Sequence, residues 1–253
     1  MKWLIALLLA ASQPVWATAD YSLWDSSNQQ VVVEHVQGPK PIASLTKIMT
    51  AMVYVDAYPS LDQSMLLVNQ VKGHLPKKYY TAEELLKALL VWSDNAAAET
   101  LAANYPGGRT AFIQAMNNKA KDLALKDTYF DDPSGLSKLN VSTVNDVTAM
   151  MLASNGYSVI KNISTLRQAQ VLINGQRKHT VVQRPNTNFQ TLSTINDIIV
   201  SKTGYTTPAG FCMGLVIEQG KKVYVLVVLG AKNKVDRLQL VKNLVAKNIT
   251  LNG

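Results

Sequence analysis

Ser44-Leu45-Thr46-Lys47-Ile48-Met49-Thr50-Ala51-Met52-Val53-Tyr54-Val55-Asp56-Ala57-Tyr58 carries apolar side chains at Leu45, Ile48, Met49, Met52, Val53 and Val55, with Pro41 before it and Pro59 after it. The spacing is close to helical period and predicts a helix that opens at Ser44. Residues three apart share one helical face, so Ser44 and Lys47 lie within side-chain reach. A serine hydroxyl is a weak nucleophile and needs a base beside it. A lysine can be that base when burial and nearby cations depress its pKa. The helix start also favours negative charge developing near Ser44. Alone, a serine and a lysine at this spacing are a common coincidence.

Outward from this helix, the segment from Tyr21 to Val36 alternates around Ser26-Ser27-Asn28 and predicts a β-hairpin. Ala82 to Trp92 predicts a second helix, capped by Thr81 with Glu84 three residues on. Asn95 to Asn104 and Thr110 to Leu123 predict two more, separated by Pro106-Gly107-Gly108. Ser142 to Ala153 predicts another, with Ser142 as its cap and Asn145-Asp146 in the first turn. The last third changes character. Ile195 to Ser201 reads as a strand, and Gly210 to Ile217 with Val223 to Leu229 as a hairpin turning at Gln219-Gly220. A closing helix from Val235 to Val245 presents Val235, Leu238, Val241, Leu244 and Val245 on one face. Its position after a buried strand favours packing on the sheet over a membrane-surface role. The order implies an α+β chain: an antiparallel sheet built from both chain ends, flanked by helices, with an all-helical lobe inserted.

Two further short motifs stand in this frame. Ser93-Asp94-Asn95 falls in the connection between two helices, where a hydroxyl and an amide can both face one cleft. Ser93 could pass a proton to a leaving amine, and Asn95 could hydrogen-bond a substrate amide. These residue types are also ordinary helix caps. Lys202-Thr203-Gly204 falls at the end of a predicted strand. Lys202 offers charge and Thr203 a hydroxyl for a carboxylate, and Gly204 permits close backbone approach. Each motif is weak alone. Their joint occurrence, in order and in the contexts helix start, inter-helix loop and strand, is the signature of β-lactamases and penicillin-binding proteins.

The chain resembles the low-molecular-mass penicillin-binding proteins of the D-alanyl-D-alanine carboxypeptidase and endopeptidase family. The supporting stretches are Ser93-Asp94-Asn95-Ala96-Ala97-Ala98, Asn104-Tyr105-Pro106-Gly107-Gly108, Asp132-Pro133-Ser134-Gly135-Leu136, Lys202-Thr203-Gly204-Tyr205-Thr206 and, more weakly, Asn186-Thr187-Asn188. The resemblance implies a serine β-lactamase/DD-peptidase-like fold and a serine peptidase acting on peptidoglycan peptides, acylated by β-lactams and needing no cofactor. It implies that Ser44 is acylated with Lys47 as general base, that Ser93 and Asn95 line the cleft and assist proton transfer and binding, and that Lys202 and Thr203 orient the substrate carboxylate. The backbone N–H groups of Ser44 and Tyr205 would form the oxyanion hole. Many carboxypeptidases of the family continue into a second β-rich domain and an amphipathic anchoring helix. This sequence stops soon after Val245, which leans the expectation to an endopeptidase on cross-links ahead of a carboxypeptidase, with at most peripheral membrane association.

Bulk properties fit. Lys2, the apolar run Leu4 to Ala11, the break at Ser12-Gln13-Pro14 and small residues at Ala17 and Ala19 form a signal-peptide pattern over residues 1–19, cleaved after 17 or 19. The run is too short to cross a bilayer, which takes about 20 apolar residues. Residues 20–253 would be one catalytic unit, exported to the periplasm or another extracytoplasmic space. Cys212 is the only cysteine, so no internal disulfide forms, and its setting in Phe211-Cys212-Met213-Gly214 reads as core. The net charge of +8 suits an anionic polymer such as a cell wall. Nucleic acid is disfavoured by the export signal and by the lack of basic runs with interleaved aromatics. His35, His74 and His179 have no metal-ligand spacing, so no metal site and no zinc peptidase is expected. Two alternatives share the motifs. A serine β-lactamase needs a water-positioning glutamate in class A enzymes. Glutamate occurs only at Glu34, Glu83, Glu84, Glu99 and Glu218, none in the stretch expected, and Asp131-Asp132 reads as turn chemistry. A non-catalytic wall-binding or β-lactam-sensing module would keep the groove and lose turnover.

Overall fold

The computed structural model describes residues 19–68, 70–173 and 181–249. The expected signal peptide, apart from Ala19, lies outside them, as does His179. In chain order the elements are β1 (Asp20–Asp25), β2 (Gln30–His35), β3 (Lys40–Pro41), α1 (Thr46–Ala57), β4 (Ser64–Leu66), β5 (Tyr79–Thr81), α2 (Ala82–Val91), α3 (Asn95–Ala103), α4 (Gly108–Asp122), β6 (Val141–Ser142), α5 (Val144–Ser154), α6 (Ser158–Ser164), β7 (Gln168–Leu172), β8 (Val181–Pro185), α7 (Phe189–Leu192), β9 (Ile198–Thr206), β10 (Gly210–Gln219), β11 (Lys222–Ala231) and α8 (Lys234–Asn248).

β1, β2, β9, β10 and β11 form one antiparallel sheet in the order β2-β1-β11-β10-β9. The two chain ends meet at the β1–β11 pair, as the sequence order implied. β11 is apolar without interruption because both of its faces are covered. Val225, Val227 and Leu229 join the core shared with the helical lobe, while Tyr224, Leu226 and Val228 join the core under α8. This is the two-residue period of a strand read against two layers. Cys212 is buried in the first of these cores, as its setting suggested.

α1 is buried along most of its length, from Thr46 to Tyr54. A helix enclosed on all sides is positioned by its neighbours rather than by one apolar stripe. α2 starts where expected: the Thr81 hydroxyl accepts from the Glu84 N–H at 3.2 Å. The Glu84 carboxylate does not close the capping box on Thr81. It accepts from the Leu172 N–H at 2.6 Å and so ties β7 to α2.

The structure corrects four local expectations. The cap of α5 is Thr143, whose hydroxyl accepts from Asp146 N–H at 3.2 Å. Ser142 is taken up instead by β6 and by a 2.7 Å hydrogen bond shared with the Thr128 hydroxyl. β9 starts at Ile198 and runs through the Lys202-Thr203-Gly204 motif to Thr206, because β10 pairs with it as far as Gly210 opposite Thr206. The buried face of α8 is Arg237, Leu240, Val241, Leu244 and Val245, and Val235 is 74% exposed. An arginine occupies the position that an apolar pattern would give to Leu238. Finally, α6, α7 and the β7–β8 hairpin were not foreseen. Among the described residues no helix is long and apolar enough to cross a membrane.

Candidate active site

The turn before α1 places Ser44. Residues Ala43–Leu45 form a single 3-10 turn, and Ala43 adopts φ +48°. Few non-glycine residues adopt that conformation, so the surroundings must hold it there. Two glycines do so. A Cβ on Gly135, at φ +81°, would sit 2.0 Å from the Ala43 carbonyl oxygen. A Cβ on Gly204 would sit 3.0 Å from the Ser44 nitrogen and 3.1 Å from the Ile42 oxygen. The sequence reading gave Gly204 the task of admitting substrate backbone. The structure shows that β9 at Gly204 abuts the Ser44 turn itself, with Tyr205 next along the strand.

Lys47 is fully buried below Ser44. Its Nζ donates to Ser44 Oγ at 2.9 Å, to Asn95 Oδ1 at 2.8 Å and to the Ser134 carbonyl. Burial pushes the Lys47 pKa down to about 7, against the opposing pull of Asp132, Asp94 and Glu99. A neutral amine keeps two N–H donors and gains a lone pair. With Asn95 Oδ1 and the Ser134 carbonyl taking the two donors, the lone pair is left for the Ser44 hydroxyl. The arrangement can therefore draw a proton from Ser44.

The Ser134 carbonyl is aimed by a turn. Asp132 Oδ1 accepts from Ser134 N–H at 2.7 Å, and Thr50 Oγ1 donates to the Pro133 carbonyl at 2.6 Å. Asn140 Oδ1 accepts from the N–H groups of Asp131 and Asp132 at 2.8 and 3.0 Å, and its Nδ2 donates to Thr46 Oγ1 at 3.0 Å. The expectation of turn chemistry at Asp131-Asp132 is met. What the sequence did not show is that this turn delivers a partner to Lys47.

Ser93 lies at φ +60°, a strained setting for a serine. Its Oγ accepts from Lys202 Nζ at 2.9 Å. Asp94 is buried and caps α3, its Oδ1 accepting from Ala97 N–H at 2.8 Å. Lys202 is 1% exposed and donates also to the Thr203 carbonyl at 2.9 Å. Burial, with Lys47 and Arg237 nearby, pushes its pKa well down. Lys202 thus lies under the cleft, in contact with Ser93, rather than on its surface. Thr203 Oγ1 donates to Thr187 Oγ1 at 2.8 Å, which gives the Asn186-Thr187-Asn188 stretch a task.

The cleft above has a volume of about 560 Å³. Of the predicted residues, Ser44, Ser93, Asn95, Thr203, Gly204 and Tyr205 line it. Among the liners not assigned a site role from the sequence are two cationic side chains at the start of α8, Lys234 and Arg237. Arg237 Nη1 donates to the Cys212 carbonyl at 3.2 Å, while its Nε is buried with no hydrogen-bond partner among the described residues. Burial lowers its pKa to about 10, so it is cationic at neutral pH. Tyr205 stacks on Phe211 with ring centroids 4.2 Å apart at the cleft edge.

Known proteins share this sequence pattern and fold. The profile of the D-alanyl-D-alanine carboxypeptidase family, peptidase family S11, matches residues 9–233. The D-alanyl-D-alanine endopeptidase of Escherichia coli is 36% identical over 90% of this chain and 76% of its own length. The protein of the same name from Haemophilus influenzae is 32% identical over 90% of this chain and 80% of its own length. Penicillin-binding protein D2 of Listeria monocytogenes, solved with ampicillin bound, superposes with a TM-score of 0.83 at 26% identity, covering 94% of this chain and all of that one (100%). The Streptomyces K15 DD-transpeptidase shares the fold, with a TM-score of 0.85 at 23% identity over 95% of this chain and 100% of that one. The chain belongs to the S11 family of serine DD-peptidases, and its fold is that of the penicillin-binding proteins.

Proposed function

We propose that the protein is an exported D-alanyl-D-alanine endopeptidase that cleaves peptide cross-links in peptidoglycan and is acylated by β-lactams. The observation that carries this reading is the contact of Lys47 Nζ with Ser44 Oγ, Asn95 Oδ1 and the Ser134 carbonyl, made by a lysine whose pKa burial brings to about 7. Ser44 Oγ attacks the carbonyl carbon of the D-alanyl bond as its proton passes to Lys47. The backbone N–H groups of Ser44 and Tyr205 receive the oxyanion. Ser93, held against Lys202, gives its hydroxyl proton to the departing amine nitrogen and is reprotonated by the proton Lys47 took from Ser44, and water, its proton drawn by the neutral Lys47, then releases the acyl group from Ser44. Thr203 and the cationic Arg237 face the carboxylate on the leaving side, while Lys202 acts through Ser93. The preference for cross-links is supported by the endopeptidases among its relatives. Export is supported by the pattern of residues 1–19.

The test is digestion of purified cross-linked muropeptide dimers and of pentapeptide monomers, followed by chromatography. Faster loss of dimers supports the endopeptidase reading. Release of terminal D-alanine with dimers left intact would make the protein a carboxypeptidase.

A further inference from the structure

Asn140 stands outside the three motifs and outside the residues that line the cleft, yet it is bonded to each segment that places the nucleophile and its base. It is fully buried, as is Thr46. An amide side chain offers two lone pairs and two N–H donors, and Asn140 uses them all. Oδ1 accepts from the N–H groups of Asp131 and Asp132 at 2.8 and 3.0 Å. Nδ2 donates to the Asp132 carbonyl at 2.9 Å and to Thr46 Oγ1 at 3.0 Å. Backbone N–H groups only donate and a carbonyl only accepts, so the amide has one orientation here. The main chain adds a further tie, since the Asn140 carbonyl accepts from Ile42 N–H at 3.1 Å.

These ties close on Ser44 from both directions. Ile42 lies two residues before it and Thr46 two residues after it. The bonds to Asp131 and Asp132 hold the turn whose Ser134 carbonyl meets Lys47 Nζ and whose Gly135 abuts the Ala43 carbonyl. Thr50 also ties α1 to this turn, at the Pro133 carbonyl, and Asn140 adds the chain ahead of Ser44 to the same joint. We propose that Asn140 is a positioning residue for acylation: it holds Ser44, Lys47 and the Ser134 carbonyl in one register, so that the Nζ lone pair of Lys47 faces the Ser44 hydroxyl. This inference rests on the reading of Ser44 as nucleophile and Lys47 as base. Asn140 does not line the cleft, so its loss slows the chemical step and leaves drug binding alone. Misplacing a reacting group by about 1 Å costs about 10²-fold in rate. Removing one hydrogen bond of the joint costs about tenfold.

Rapid-mixing acylation by benzylpenicillin over a range of concentrations separates the dissociation constant of the initial complex from the rate constant of acylation. It is measured for wild type, Asn140→Ala, Thr46→Val and the double variant, each with its labelling stoichiometry. Asn140→Ala should label fully, bind the drug as wild type does and acylate about 10²-fold more slowly. Thr46→Val should acylate about tenfold more slowly with binding unchanged. The double variant should be no slower than Asn140→Ala, because both substitutions break the same joint. A wild-type rate constant in Asn140→Ala overturns the inference, and so does weaker binding at an unchanged rate constant. A double variant slowed about 10³-fold, the product of independent effects, also overturns it. Where Asn140→Ala takes no label and loses its near-UV circular dichroism, Thr46→Val decides: slower acylation at unchanged binding supports the joint, and a wild-type rate constant overturns it. In all of these cases wild-type acylation leaves the peptidase reading standing. A wild-type protein that takes no label overturns that reading, and the inference with it.

Discussion

The Lys47 environment predicts the pH dependence of acylation. Lys47 acts as base only when neutral, and burial lowers its pKa from 10.5 to about 7. From that value, about a tenth of the molecules hold neutral Lys47 at pH 6, about half at pH 7 and about nine-tenths at pH 8. The rate of acylation should climb about tenfold between pH 6 and pH 8 and then level off. An unshifted lysine behaves differently: about three in a thousand would be neutral at pH 8, and the rate would rise about thirtyfold more by pH 9.5. The direction is fixed by desolvation, which disfavours the ammonium, and is opposed by Asp132, Asp94 and Glu99. The assay is the second-order rate constant for acylation by a fluorescent penicillin between pH 5.5 and 9.5. A rate still climbing tenfold per unit at pH 9 would refute the lowered pKa. A flat profile would remove Lys47 as base.

Two substitutions probe the scaffold of the site. Gly204→Ala places a Cβ 3.0 Å from the Ser44 nitrogen, against backbone that cannot swing aside. Acylation should fall by about 10²-fold from misplacement of Ser44 while far-UV circular dichroism stays native, and an unchanged rate would contradict the close approach. Ser93→Gly removes the left-handed strain at φ +60° together with the bond to Lys202. Thermal unfolding should stay within about 1 kcal/mol of wild type, while acylation drops about 10²-fold. Retained acylation would take Ser93 out of proton transfer.

The site was legible where function depends on residues close in sequence. Ser44 and Lys47 are one helical turn apart, so a period alone put them together. Joint occurrence of the three motifs supplied the rest, since no spacing tells that Ser93 will meet Lys202. What stayed hidden was set by tertiary packing. The Ser134 carbonyl reaches Lys47 only because Asp132 and Asn140 shape a distant turn, and a backbone oxygen leaves no mark in a sequence. Arg237 was hidden because it sits inside the buried face of α8, where a search for apolar residues passes over it. Lys202 was read as a charge offered to a carboxylate and proves to be buried, its ammonium spent on the Ser93 hydroxyl and the Thr203 carbonyl. The frame of the fold was legible from the alternation of β1–β2 and from the short apolar runs of β10 and β11. The β7–β8 hairpin was not, because its strands are mostly exposed and polar residues break their apolar pattern.

The most direct test is intact-protein mass spectrometry after exposure to benzylpenicillin, with wild type and Ser44→Ala in parallel. A single adduct of the drug on the wild-type chain, long-lived and absent from Ser44→Ala, is the predicted result. An adduct that persists in Ser44→Ala would place the nucleophile elsewhere and contradict the account. Consumption of drug without an accumulating adduct would contradict the slow release of the acyl group that separates this peptidase from a β-lactamase.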